Sequence, residues 1–191
     1  MKKLLTLYSS ARATGNTFQL VNTFHQVMPT EICYLDKMHV EGFDYQYRNQ
    51  NDDFNGLIEK MLEADIIIFA SPVYWYAFTP AFKCFFDRFT DLIALAQQKH
   101  KGKKLREKAF YVFATSAHTT LPDSFITPLQ QTLSYLGWQY RGLLHINCKT
   151  GFDPIVAQSL CERMAKSMVS KPKPSLLSQV GRFAQYMSYY K

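Results

Sequence analysis

The segment KLLTLYSSARATGNT, residues 3–17, joins an apolar run to a loop rich in hydroxyl groups. The run at 3–8 has the composition of a buried strand. The apolar positions of 16–27 recur at helical spacing, so a helix should follow the loop. A strand, a short loop and a helix in this order begin a βαβ unit, and we therefore predict an α/β fold with a parallel sheet.

The alternation of apolar runs and helical patterns continues along the chain. Strands are predicted at 3–8, 31–35, 65–70, 108–115 and 139–146. Helices are predicted at 16–27, 54–64, 80–97, 122–136 and 154–168, with Asp53 capping the second helix and Gly137 ending the fourth. Residues 1–170 should therefore form one domain around a doubly wound five-stranded parallel sheet.

A proline-containing break, KPKP at 171–174, begins a C-terminal extension over residues 171–191. Apolar residues recur at helical spacing over 175–190, which predicts an extra C-terminal helix. One interpretation is that this helix packs against its own domain or a dimer mate. The other is that it contacts a membrane surface.

The composition of the 191 residues is that of a globular protein. Hydrophobic residues make up 47% of the chain, enough for a core without metals or disulfides. No apolar run approaches the ~20 residues of a membrane helix, and the first run is shorter than the ~7–15 residues of an export signal. Four scattered cysteines without a CxxC pair argue against a zinc site or a thioredoxin-type motif. We expect a cytoplasmic protein with no transmembrane segment and no metal site.

The chain carries a formal net charge of +7, much of it in the run KHKGKKLREK at 99–108. One interpretation of this basic run is a solvated loop ahead of the fourth strand. The other is a landing site for an anionic substrate such as the phosphate of a dinucleotide. Nucleic acid is a weaker candidate, because the run has no interleaved aromatic residues and no recognition helix is evident.

The loop at 9–17 has the chemistry of a phosphate-binding site. A helix N-terminus presents unpaired backbone N–H groups and a partial positive charge. The loop adds hydroxyl groups, a glycine that permits close backbone approach and an arginine for a charge-assisted hydrogen bond. These residues are Ser9, Ser10, Thr14, Thr17, Gly15 and Arg12. The structural alternative is that Asn16 or Thr14 only caps the helix.

Two other kinds of phosphate binder are not indicated. The sequence contains no GxxxxGK[ST], which argues against a P-loop for ATP or GTP. It also contains no GxGxxG after the first strand, which argues against an ordinary dinucleotide fold.

A second loop, SPVYWYAF at 71–78, should leave the third strand at the same edge of the sheet. Three adjacent aromatic residues cannot all point into the core, so at least one should stand at the edge and stack beside a ring or line a pocket. A hydrophobic lid is the alternative. A third loop, TSAHTT at 115–120, follows the fourth strand, and its amides and hydroxyls could contact a ring. Its His118 either helps to protonate a reduced acceptor or lies in solvent.

A molecule with a phosphate at one end and a planar ring at the other would fit between these loops, and flavin mononucleotide (FMN) is the obvious candidate. The motifs SSARATGNT at 9–17, ASPVYW at 70–75 and KCFFDR at 83–88 resemble those of the flavodoxin-like NAD(P)H-dependent FMN reductases and quinone reductases. The resemblance covers residues 1–146. It implies a flavodoxin-like fold, bound FMN, NADPH or NADH as donor, a small-molecule electron acceptor and a homodimer.

The resemblance also implies roles for individual residues. Those that would hold the FMN phosphate are Ser9, Arg12, Asn16 and Thr17. Those that would line the isoalloxazine ring are Pro72, Val73, Tyr74 and Trp75, with Thr115 and Ser116 on its other side. Asp87 and Arg88 would serve packing or the dimer interface.

The sequence departs from this family in two places. Many relatives carry a Gly-Gly pair after the fourth strand, whereas this chain has Ser116-Ala117-His118. Some relatives have a cysteine cluster before the second helix, whereas residues 40–53 contain no cysteine, so we expect no iron–sulfur cluster.

The favoured function is therefore a reductase that passes a hydride from NAD(P)H through FMN to a small acceptor such as a quinone or a flavin. The first alternative is a flavodoxin-like one-electron carrier, which the positive charge argues against. The second is a flavin-free binding protein of the same fold.

Overall fold

The computed structural model describes residues 2–170, and the predicted extension at 171–191 with its helix at 175–190 lies outside the described residues. Five strands form one sheet: β1 Leu4–Tyr8, β2 Glu31–Tyr34, β3 Ile66–Pro72, β4 Ala109–Ser116 and β5 Gln139–Asn147. The helices within this range are α1 Asn16–Val27, α2 Phe54–Glu63, α3 Pro80–Asp87, α4 Asp91–Ala94, α5 Lys99–Lys104, α6 Asp123–Leu136 and α7 Pro154–Val169.

The strands are all parallel and lie in the order β2-β1-β3-β4-β5. This order is that of flavodoxin-like folds, so the predicted fold class is confirmed. The direction of winding reverses between β1 and β3, and ligands in such sheets bind beyond the carboxyl ends of the strands at this point. The loops at 9–17 and 71–78 therefore start side by side, since Tyr8 pairs with Ala70.

Two hydrophobic cores cover the two faces of the sheet. Leu5 and Leu7 of β1 face the core that contains side chains of α2, α3 and α6. Leu4 and Tyr8 face the other core, which contains side chains of α1 and α7. The apolar run at 66–70 is buried on both faces, as its continuous pattern predicts for a central parallel strand. Both cores hold the strand ends rigidly, so the loops that follow them have fixed starting points.

The helix predicted at 80–97 is wrong in its second half. α3 ends at Asp87, the chain tightens into a 3-10 turn at Arg88–Thr90, and the short α4 ends at Ala94. The turn begins at a buried arginine: the guanidinium of Arg88 binds the carboxylates of Asp52 and Asp91 at 2.6 and 2.8 Å.

Arg88 also anchors the long loop between β2 and α2. Its guanidinium donates to the backbone carbonyls of Glu41 and Asn49. Because these partners come from a distant segment, the helical periodicity at 80–97 does not reveal them. Arg88 therefore serves packing, one of the two roles that the resemblance implies.

The predicted N-cap position of α2 at Asp53 is confirmed, but the Asp53 side chain does not make the capping hydrogen bond. Asp53 occupies the N-cap position, but its carboxylate accepts a hydrogen bond from the backbone N–H of His39 instead of from the helix. Asp52 contacts the helix instead, through a 3.1 Å hydrogen bond from the Phe54 N–H to its Oδ1. Gly137 ends α6 with φ of 72°, as predicted.

The basic run is helical and not a loop, although most of its charged side chains are exposed to solvent, as the solvated-loop interpretation expects. Residues 99–104 form α5, and a 3-10 turn at Leu105–Glu107 leads into β4. The run therefore lies at the amino edge of the sheet, on the opposite side from the loops at 9–17 and 71–78. Within residues 2–170 no helix combines the length and apolar character needed to cross a membrane.

Candidate functional site

A cavity of about 430 Å³ opens at the carboxyl edge of the sheet. Its lining residues are Ser10, Arg12, Gly15, Asn16, Thr17, Pro72, Val73, Tyr74, Thr115, Ser116, Ala117 and Cys148. The structure thus brings together most of the residues that the sequence predicts for the site. Four predicted residues are not part of this lining: Ser9, Thr14, Trp75 and His118.

The N-terminus of α1 lies at the cavity. Gly15 is the N-cap residue and no side-chain capping hydrogen bond is present in the described structure, so neither Asn16 nor Thr14 caps the helix. The first backbone N–H groups of α1 therefore lack a capping side chain and suit an anion. Gly15 is also closely packed, since a Cβ there would lie 2.9 Å from Nε and 3.3 Å from the carbonyl oxygen of Arg12.

Ser9 supports the loop from below the cavity. It is fully buried, and its Oγ is hydrogen-bonded to Oδ1 of Asp36, at 2.9 Å, and to the hydroxyl of Thr79. The other carboxylate oxygen of Asp36 accepts the backbone N–H of Ser10 at 2.7 Å. These bonds fix the start of the loop, while Ser10 and Arg12 remain at the cavity surface.

Two buried threonines tie the loop to β4. The hydroxyls of Thr17 and Thr115 are hydrogen-bonded at 2.6 Å. The carbonyl of Thr115 accepts the backbone N–H of Val73 at 3.0 Å. The three walls of the cavity are therefore linked directly to one another, which makes the site preorganised.

Beyond Pro72 the chain forms a two-residue hairpin. Tyr74 and Ala77 exchange two backbone hydrogen bonds of 3.0 Å, and the central residues Trp75 and Tyr76 have φ of 46° and 65°. Positive φ at both positions is the requirement of a type I′ turn, which Asn-Gly usually meets, so bulky residues there are strained. Trp75 is 94% exposed, which confirms the prediction that an aromatic residue stands at the edge.

Ser116 connects the cavity to β5. Its Oγ lies 2.9 Å from Nε2 of His145 and accepts the backbone N–H of His118 at 3.1 Å. Burial lowers the pKa of His145, and the neighbouring His118 lowers it further. The ring of His118 itself is exposed and lies 5.6 Å from that of Tyr76. His145 was missed in the sequence because it stands within an apolar strand pattern; its place near the carboxyl end of that strand was the available signal.

Cys148 is a second residue that the sequence interpretation missed. It lines the cavity directly after β5, and its backbone N–H donates to the carbonyl of Ser116 at 2.7 Å. Burial raises the pKa of its thiol, while a hydrogen bond with Asn16 acts in the opposite direction. Its position after the fifth strand, at the same edge as the other loops, could have indicated it.

The donor set of the cavity fits FMN. One end offers uncapped N–H groups of α1 together with Arg12 and Ser10, a combination suited to a phosphate. The other end offers apolar surface from Pro72 and Val73 together with polar groups of β4, which suits a flat ring with polar edges.

Comparison with known proteins identifies the family. Residues 2–146 match the family of NADPH-dependent FMN reductases. The chain belongs to this family. A protein of Bacillus subtilis (strain 168) named "Putative NAD(P)H-dependent FMN-containing oxidoreductase YwqN" is 25% identical over 150 residues, which cover 73% of this chain and 82% of the relative.

Solved structures show the same fold. The NAD(P)H:quinone oxidoreductase from Methanothermobacter marburgensis has a TM-score of 0.70 at 14% identity, with 90% of this chain and 98% of that chain covered. The Trp repressor binding protein from Bacillus subtilis has a TM-score of 0.67 at 21% identity, with 90% and 100% covered.

Family membership confirms the enzyme class predicted from the sequence. The protein is an NAD(P)H-dependent oxidoreductase with FMN as its cofactor. Neither alternative function, the electron carrier or the flavin-free binding protein, is favoured by these findings.

Proposed function

We propose that the cavity at the carboxyl edge is the FMN site and that the enzyme reduces a small electron-poor acceptor, such as a quinone or a free flavin, with NADPH. The observation that carries this proposal is the uncapped N-terminus of α1, which opens into the cavity beside Arg12. The quinone reductase fold neighbour supports the acceptor class.

In this proposal the loop at 9–17 binds the phosphate. The α1 N–H groups, Asn16 and the hydroxyl of Ser10 donate hydrogen bonds, and Arg12 adds a charge-assisted one. Ser9 contributes indirectly, because it fixes the loop through Asp36. Thr17 likewise fixes the helix against β4 through Thr115.

The ring end of the site is formed by β3 and β4. Pro72, Val73 and Tyr74 line the cavity at the end of β3, and Thr115, Ser116 and Ala117 line it at the end of β4. FMN bound there would supply the redox chemistry between donor and acceptor. The protein positions the ring, excludes water from one side and offers hydrogen-bond donors to its polar edge.

The strained hairpin is placed to contact the acceptor. Trp75 and Tyr76 stand next to the lining residue Tyr74 and expose aromatic surface to solvent. Strained backbone of this kind persists where the surrounding structure or function demands it.

We further propose that the enzyme is a cytoplasmic homodimer. The exposed aromatic side chains of the hairpin, beside the cavity, support an interface or a substrate contact there. Sedimentation equilibrium should give twice the chain mass of 22.2 kDa. A mass equal to one chain at micromolar concentration would reject the dimer.

The first test is the colour of the purified protein. A protein purified without added cofactor should show the visible spectrum of oxidised flavin, release FMN on denaturation and bleach anaerobically with NADPH. A colourless protein that also fails to bind added FMN would overturn the proposed site. A yellow protein that neither NADPH nor NADH bleaches would overturn the proposed reaction.

The arginine of the loop gives a sharper test of the site. Arg12→Ala should weaken FMN binding about 10- to 100-fold, because a hydrogen bond to a charged group contributes ~1.5–3 kcal/mol. Arg163→Ala, at an exposed arginine on α7, is the matched control and should leave the FMN dissociation constant unchanged. Equal affinities in the two variants would place the phosphate elsewhere.

A further inference from the structure

The cavity residue Ser116 is bonded to a histidine that does not itself line the cavity. His145 lies on β5, in register with Ala114 of β4, and is partly buried. Its Nε2 is 2.9 Å from Oγ of Ser116, and the backbone N–H of His118 donates to the same oxygen at 3.1 Å. Ser116 therefore lines the cavity while its Oγ is hydrogen-bonded to His145 Nε2 and to the backbone N–H of His118.

The hydrogen-bonding capacity of serine limits what this arrangement can do. A hydroxyl has one proton and accepts two hydrogen bonds. The His118 N–H fills the first acceptor position of Ser116. When His145 carries a proton on Nε2, it fills the second position, and the Ser116 proton must turn away from both, towards the cavity. When His145 carries its proton on Nδ1 alone, Nε2 accepts a hydrogen bond from the Ser116 hydroxyl. Ser116 then presents only its oxygen atom to the cavity.

The neutral imidazole can hold either arrangement. Burial and the nearby His118 keep the pKa of His145 below its ordinary value, so the ring is neutral at neutral pH. A neutral ring carries its single proton on one nitrogen or the other, and the preferred tautomer follows the charge that surrounds it. The direction of the Ser116 proton therefore depends on the tautomer of His145.

We propose that His145 is a positioning residue that makes Ser116 a hydrogen-bond donor towards FMN when negative charge enters the cavity. This inference rests on the proposed function. A hydride carries two electrons and one proton, so its arrival adds one negative charge to the cavity. The Nε2–H tautomer of His145 then directs the Ser116 proton to that charge, and a preorganised donor stabilises it.

The midpoint potential of bound FMN tests this role, because a merely structural contact would not move it. His145→Phe and Ser116→Ala should each disfavour the reduced form about tenfold, a shift of about −30 mV for a two-electron couple. His145→Gln should restore most of the potential, since its amide can donate at the position of Nε2. His100→Gln, in the basic run at the opposite edge, is the control and should keep the wild-type potential.

The FMN-free protein gives an independent readout. In ring-nitrogen NMR spectra, Ser116→Ala should change the tautomer ratio of His145 and move its titration to lower pH, because the serine oxygen no longer accepts from the charged ring. An unchanged His145 signal would show that the bond to Ser116 is absent and would overturn the inference.

The outcomes separate this inference from the proposed function. A protein that binds FMN but has the same potential in the wild type and in His145→Phe overturns the role of His145 and leaves the proposed function intact. A protein that binds no FMN overturns the proposed function and the role of His145 with it.

Discussion

At the scale of single residues, Gly15 lies where an added side chain would disturb Arg12 at the cavity. Its φ of −76° is accessible to any residue, so the glycine is not needed for backbone conformation. The three atoms nearest to an added Cβ all belong to Arg12: Nε at 2.9 Å, the backbone carbonyl oxygen at 3.3 Å and Cβ at 3.5 Å. An added methyl group therefore displaces the flexible end of the arginine and requires only a small shift of the loop backbone.

Gly15→Ala should consequently weaken FMN binding without a comparable loss of stability. We expect an increase of about tenfold in the FMN dissociation constant, ~1.4 kcal/mol, by fluorescence titration. Gly56→Ala is the matched control, because Gly56 lies in α2 and no atom of the described residues 2–170 lies within 4 Å of an added Cβ. That variant should be more stable by about 1 kcal/mol and bind FMN normally. Normal binding by Gly15→Ala would contradict the placement of Arg12.

A second single-residue prediction is that His145 makes the stability of the fold depend on pH. Its folded pKa is lower than the ordinary value of 6.5, so the unfolded chain binds more protons as the pH falls below that value. The contribution of His145 to stability is therefore complete above pH 6.5 and is lost as the pH falls through the folded pKa. In urea unfolding at pH 7.5 and 5.0, the wild type should lose more stability than His145→Gln, which cannot titrate. Equal losses would show that burial does not lower the pKa of His145 in the folded protein.

At the scale of elements, the two basic residues of the KCFFDR segment at 83–88 form ion pairs that differ greatly in burial. Arg88 and its partners Asp52 and Asp91 have side chains that are 1–3% exposed. Lys83 and Asp87, four residues apart in the same segment, are 70% and 44% exposed. A buried charge has lost its hydration, so its stability depends on its charged partners. The attraction within an exposed ion pair is screened by water and salt and contributes little to stability.

Arg88→Met should therefore destabilise the protein by about 3–5 kcal/mol, because two buried carboxylates lose their counter-charge. Lys83→Met should change the free energy of unfolding by less than about 0.5 kcal/mol. Chemical denaturation of both variants measures the difference. If Arg88→Met unfolds at the same denaturant concentration as Lys83→Met, the buried cluster does not hold the loop between β2 and α2.

The same cluster explains which elements the sequence predicts well. α1 starts and ends where its apolar spacing indicates, because Gly15 and the following residues define it locally. The helix predicted at 80–97 fails at Arg88, because three of its partners, Glu41, Asn49 and Asp52, lie 36 and more residues earlier in a loop without periodicity. Local spacing specifies an element, but contacts between distant segments decide where it bends.

Some residues of the candidate site can likewise be predicted from the sequence, whereas others depend on contacts between distant segments. The lining by Arg12, Asn16 and Pro72 follows from strand ends that share one edge, a rule that needs only the order of elements. His145 and Cys148 enter the site through the pairing of β4 with β5, where Ser116 stands opposite Asn147. That register is a tertiary property, and an apolar strand pattern alone does not contain it.

At the scale of the whole molecule, the two edges of the sheet carry different chemistry. The carboxyl edge holds the cavity, with Arg12 as its charged side chain. The amino edge holds the basic run, in which Lys99, Lys103 and Arg106 line a separate cavity of about 270 Å³. β4 joins the two, with Ala109 at one edge and Ser116 at the other, and spans about 23 Å at ~3.3 Å per residue.

This separation argues against the landing-site interpretation of the basic run for a ligand bound at the carboxyl edge. Charges are screened over about 8 Å at physiological ionic strength, a third of the length of β4. The positive charge of the run therefore contributes little at the carboxyl edge. The landing site for a dinucleotide phosphate that the sequence suggested does not border the cavity, since none of its residues lines it.

The triple variant Lys99→Gln, Lys103→Gln and Arg106→Gln should accordingly keep the wild-type FMN affinity and the wild-type KM for NADPH. Arg12→Ala provides the positive control, because its charge lies at the cavity and its loss should be measurable under the same conditions. Steady-state kinetics should be measured at two salt concentrations, because any long-range electrostatic effect of the basic run on the KM would weaken as the salt concentration increases. A rise in the KM for NADPH in the triple variant, larger at low salt, would show that the donor extends to the amino edge and would restore the landing-site interpretation.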